Sequence, residues 1–112
     1  MYTIFFVLDD PDKLREVLDA WEKVGISGVT ILESTGLNRV KRKAFPMRYL
    51  PDFYNQEENH LTLMTIVKEE AMIEACLQAT ESVVGELSNP NTGIFAAWPI
   101  SFAKGGSLKV GD

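Results

Sequence analysis

Residues 25–37 read GISGVTILESTGL: two glycines, a β-branched run, then Ser34-Thr35-Gly36. Val29–Thr35 has the composition of a strand, and Gly25 before it suits the stop of a helix. The stretch that follows, residues 36–58, GLNRVKRKAFPMRYLPDFYNQEE, carries neither helical nor strand periodicity. A tight turn would suffice to join neighbouring strands, so a connection of this length marks a segment kept for function.

Outward from that segment the chain is regular. Residues 2–8, YTIFFVL, form an apolar, β-branched strand. Residues 9–25 then carry a helix: Asp10 can cap it, Pro11 suits its first position, and Leu14, Val17, Leu18, Trp21 and Val24 build one apolar stripe. Residues 60–67, HLTLMTIV, predict a third strand. Residues 68–87 predict a second helix with Ile73, Cys76, Leu77, Thr80, Val84 and Leu87 inward, and Glu69 and Glu70 at its N-terminal dipole. Residues 88–93, SNPNTG, are turn chemistry, and residues 94–100, IFAAWPI, give a last strand that Pro99 ends or confines to an edge. The tail 101–112 reads as mobile.

The order is therefore β-α-β-(loop)-β-α-β within a single domain, 1–112. Two βαβ halves with right-handed crossovers interleave into an α+β, ferredoxin-like βαββαβ sandwich, an antiparallel four-stranded sheet with two helices on one face. Ile4, Phe6 and Leu8 alternate with Phe5 and Val7, and Leu61, Leu63 and Val67 with Met64 and Ile66. Both faces are apolar, yet two helices cover one. Further copies of the chain are expected on the other.

Composition narrows the function. Hydrophobic residues are 46% and charged residues 24% of 112, as in an ordinary soluble domain. No run reaches membrane-spanning length, and the N-terminus lacks a basic leader, so no membrane insertion and a cytoplasmic location are expected. The net charge is −5, yet residues 39–48 hold Arg39, Lys41, Arg42, Lys43 and Arg48 with no acid; removing that +5 leaves −10 elsewhere. Such a body repels nucleic acid, while the loop can attract an anion or an acidic partner.

Catalysis has little to work with. The one histidine, His60, reads either as a polar residue at a strand edge or as a ligand contact at the mouth of the loop. The one cysteine, Cys76, falls on an apolar stripe and reads as a small buried hydrophobe. Asp9, Asp10 and Asp12 read as capping and solubilising groups rather than metal ligands. Neither an enzyme nor a metal site is expected. The loop is richer: Lys41, Arg42, Lys43 and Arg48 can grip carboxylate or phosphate, and Phe45, Tyr49, Phe53 and Tyr54 either fold back on the body or face a protein partner.

The stretch GVTILESTGLNR resembles the end of strand two and the start of the T-loop in nitrogen regulatory P-II signalling proteins, and NPNTGIFAAWPI is placed like that family's B-loop and last strand. The resemblance covers about residues 1–100 and implies a homotrimer. It also implies a small anionic effector in clefts between subunits, an adenine nucleotide (ATP, ADP or AMP) among the candidates. Loop 36–58 would be the arm that regulates a partner protein, such as an enzyme. Gly36 and Arg39 match the family's glycine and arginine at the base of the T-loop. Asn38 stands in place of its second glycine and Val40 in place of its glutamine. His60 falls near the family's lysine, Thr92 and Gly93 match its B-loop start, and Lys104 can stand in for its tail arginines. A CutA-like or other trimeric small-molecule or metal-binding module is the alternative.

Overall fold

The structure is a computed structural model that describes residues 1–35 and 59–106. It runs β1 (Tyr2–Leu8), α1 (Leu14–Lys23), β2 (Val29–Thr35), β3 (Asn59–Val67), α2 (Ala71–Val84) and β4 (Gly93–Pro99). The strands form one antiparallel sheet in the order β2-β3-β1-β4, so β2 and β4 are its two edges. This α+β arrangement is compatible with the ferredoxin-like expectation.

Three of the four helix ends have a local cause. The Asp10 carboxylate accepts from the Asp12 backbone N–H at 3.0 Å and opens a single 3-10 turn, Pro11–Lys13, that leads into α1. At the other end Gly25, at φ 98°, lets its N–H reach the Glu22 carbonyl while the Ile26 N–H reaches that of Trp21. Those two bonds make a Schellman stop, and Trp21 and Ile26 are both buried beside it. The second helix is shorter than the expected 68–87. Gly85, at φ 91°, ends it, and Leu87 packs on the core from outside the helix.

The core lies between the helices and one face of the sheet. Ile4, Phe6 and Leu8 from β1, with Leu63 and Val67 from β3, are buried against Val17 and Trp21 of α1 and Cys76 of α2. A polar contact joins the helices inside it: the Trp21 Nε1–H donates to Thr80 Oγ1 at 2.8 Å, and the Thr80 hydroxyl donates to the Cys76 carbonyl at 2.7 Å. Both groups are thus satisfied where water cannot reach.

The opposite face carries the alternate residues. The register lines up Thr3, Phe5 and Val7 of β1 with Thr62, Met64 and Ile66 of β3, with Ile94, Ala96 and Trp98 of β4, and through β3 with Thr30 and Leu32 of β2. No element covers that face within the described chain. Both apolar faces expected from the alternation are therefore present.

Candidate functional site

All four strands bring a terminus to the same end of the sheet. Across that end, in sheet order, lie Thr35 at the end of β2, Asn59 and His60 at the start of β3, Leu8 and Asp9 at the end of β1, and Thr92-Gly93 at the start of β4. Thr35 pairs with Asn59, so loop 36–58 leaves and re-enters the fold on neighbouring strands. The expected site residues Gly36, Asn38 and Arg39 lie outside the described residues. So do the partner-loop residues Lys41, Arg42, Lys43, Phe45, Arg48, Tyr49, Phe53 and Tyr54.

His60 stands at the rim of the uncovered face, one position beyond the Leu8–Leu61 pair. Its Nε2 lies 3.7 Å from Asp9 Oδ1, and both side chains remain partly exposed. From sequence Asp9 reads, with Asp10 and Asp12, as a capping or solubilising group. Its place beside His60 follows from the β1–β3 register, which a sequence read strand by strand does not contain. The pair is in hydrogen-bonding reach of solvent and carries an acid and a base at the mouth of the loop.

The turn ahead of β4 is held from several sides. The Leu87 N–H donates to Glu81 Oε2 at 2.9 Å, the Asn89 N–H donates to the Glu86 carbonyl, and Asn91 takes a left-handed conformation at φ 65°. The Thr92 hydroxyl donates to the Asn89 carbonyl at 2.9 Å, so its first task is to close this turn. Gly93 has φ 138°, and a Cβ there would come within 2.2 Å of the Val7 carbonyl oxygen. Close approach to β1 thus explains that glycine without a ligand.

The expected residues do not all meet within one chain. His60 is on an inner strand, whereas Thr92 and Gly93 lie on the edge opposite to the β2 end that leads to Gly36. Edge to edge is three strand spacings, about 14 Å. Lys104 lies beyond Pro99, which pairs with Tyr2 at the other end of the sheet. Any site that uses β2 and β4 together therefore draws them from different copies or bridges the sheet end.

Cys76 is fully buried, and burial pushes its thiol up to about 12 against a counteracting Thr80 hydrogen bond, which makes it a poor nucleophile. A shallow groove of about 450 Å³ between α1 and α2 is lined by Glu16, Asp19, Lys23 and Ser82 among others. It lies on the helical side and gathers none of the expected residues. Among the described residues no helix is long and apolar enough to cross a membrane.

No protein-family model matches this chain, and no curated protein matches it.

Proposed function

We propose that this chain is a P-II-like regulator with a ferredoxin-like fold, cytoplasmic and homotrimeric, that senses a small anionic effector and controls a partner protein through loop 36–58. The observation that carries the reading is the uncovered sheet face. Phe5, Val7, Met64 and Ile66 sit at its centre, with Leu32, Ile94 and Trp98 around them, and no formal charge stands among them. A face of that chemistry is stable in contact with other apolar surface, at roughly 25 cal/mol for each Å² removed from water.

The sheet end supports the sensing half of the proposal. The two roots of the loop, the His60–Asp9 pair and the braced turn before β4 are arranged along one rim. An anion bound there by Arg39 and by Gly36, Asn38, His60, Thr92 and Gly93, with Lys104 reaching in from a neighbouring copy, would order the base of the loop. Its basic and aromatic residues, Lys41 to Tyr54, would then dock on the partner. The role is regulatory rather than catalytic, and an adenine nucleotide is the first effector to try.

Thermal melts with ATP, ADP, AMP, 2-oxoglutarate and bicarbonate, alongside sedimentation of the parent protein, test both halves. A ligand at a hundred times its dissociation constant adds about 2.7 kcal/mol, a shift of several degrees. A nucleotide shift in a trimer, lost in Arg39→Ala, is the expected result. A trimer unmoved by every anion but shifted by a divalent metal would favour the CutA-like module, and a monomer would overturn the regulator.

A further inference from the structure

The groove between α1 and α2 combines apolar and acidic lining. Ala20, Val24, Ala79 and Val83 are its half-buried residues, small enough to leave about 450 Å³ open between the helices. Glu16 and Asp19 stand exposed along the α1 side.

The place of these acids follows from the direction of the chain. β1 ends and α1 begins at the end of the sheet where loop 36–58 leaves the fold, and α2 finishes there ahead of β4. Glu16 is in the first turn of α1, while Ser82 and Val83 line the groove from the last turn of α2. That last turn has no basic residue to offset the partial negative charge of a helix C-terminus. Residues 68–86 hold Glu69, Glu70, Glu74, Glu81 and Glu86 against Lys68. The loop end of the helical layer is therefore negative, and the groove opens there.

We propose that this groove holds residues 39–48 of the same chain whenever no partner protein does. The segment lies outside the described residues. Its resting place on the helices is a role beyond the regulator reading, and a partner would have to displace the segment from it.

Charge complementarity selects this occupant. Arg39, Lys41, Arg42, Lys43 and Arg48 give the segment +5 with no acid, against −10 on the remainder. A tethered segment also outcompetes a free one, because the tether holds it at an effective concentration in the millimolar range. The apolar content matches as well. Phe45 and Met47 fall among those cations, and Ala20 and Ala79 leave room for a side chain of that size. Pro46 between them favours an extended chain, the form that lies along a groove.

Reach is sufficient. The six residues from Thr35 to Lys41 span up to about 20 Å, and the helical layer to be crossed is about 10–12 Å thick. The return to Asn59 has more chain still. The helical side is also the side left in water when other copies cover the apolar sheet face.

Carbodiimide crosslinking of the full chain tests this, since it joins a lysine amine to a carboxylate only where the two touch. Peptide mapping should find Lys41 or Lys43 joined to Glu16 or Asp19 within one chain. The yield should fall in about 1 M salt, where screening acts over about 3 Å. Phe45→Ser/Met47→Ser keeps every charge and changes no residue of the described fold, and it should cut the yield several-fold. Ala20→Arg, which fills the groove and cannot react, should do the same. An unchanged yield in the loop variant would mean that charge alone draws the loop to the helices, and would overturn the groove as its site. Crosslinks confined to other carboxylates, or none, would overturn the proposal outright. Co-refolding with isotope-labelled copies separates the remaining case: mixed pairs would give the groove to a neighbouring molecule's segment and overturn docking within the chain. The melts and sedimentation above decide the regulator reading separately, and no crosslinking outcome bears on it.

Discussion

The two faces of the sheet are built from the same strands and nearly the same residue types, and they meet different fates. On one, Ile4, Phe6 and Leu8 are fully buried under Val17, Trp21 and Cys76. On the other, Phe5 and Val7 are half-buried by their neighbours alone, with Trp98 6.3 Å from the Phe5 ring, centroid to centroid. The difference lies in what stands above. Two helices, joined through Trp21 and Thr80, reach across β1, β3 and the inner part of β4, and stop short of Ile31 on β2. A strand's side chains thus declare that a face is to be dry, while the cover comes from whatever elements, or copies, are there to supply it.

If the helix-covered face carries the stability of the single chain, damage there should dominate. Trp21→Ala should cost about 3–5 kcal/mol in urea unfolding, since it opens a cavity among Phe6, Val17 and Cys76 and leaves the Thr80 hydroxyl without its indole donor. A loss under 1 kcal/mol would mean that this core is not the fold's main support. Gly93→Ala comes next, at about 2–3 kcal/mol. Its Cβ would strike the Val7 carbonyl and press within 2.9 Å of the Phe6 ring, and its φ of 138° strains any L side chain. A neutral result would mean that β4 can shift away from β1.

The thiol of Cys76 gives a smaller effect with a definite sign. Its pKa rises from an ordinary 9.0 to about 12 because burial disfavours the thiolate. Below about pH 9 the stability linked to this group is fully present. Between 9 and 12 the unfolded chain sheds the proton first, so stability falls as pH rises, by at most about 1.4 kcal/mol per pH unit. Urea melts at pH 8.5 and 9.5 should therefore differ more for the parent than for Cys76→Ala. Equal differences would place the thiol in contact with water.

Much of this molecule could be read from local pattern. Asp10, Pro11 and Gly25 bracket α1 by chemistry that acts within a few residues, and β2 occupies the range its β-branched run predicts. Helix α2 ends short of the predicted 68–87 because Gly85 breaks the backbone before the apolar stripe runs out at Leu87. The site was less legible, since its geometry depends on pairing. His60 and Asp9 are far apart in sequence and meet through the β1–β3 register, and Gly93, assigned to an effector site by resemblance, answers a backbone contact with Val7. The end of β2 that leads to Gly36 and the Thr92-Gly93 turn before β4, grouped by resemblance, lie at opposite edges of the sheet. Chain order cannot express that separation.

The smallest effect divides the two faces most cleanly. Ile94 is 63% exposed on the uncovered face, so Ile94→Ser removes little burial from a single chain. In dilute, dissociated protein the variant should unfold within about 0.5 kcal/mol of the parent, as for most surface changes. Concentrated protein should separate them. Association stabilises the folded state by mass action, so the parent's Tm should climb with concentration, and the variant's should climb less. Loss of several degrees at every concentration would make Ile94 part of the single chain's own support. Parallel curves would mean that this part of the face meets no other copy, and the contrast between the faces would then be one of exposure alone.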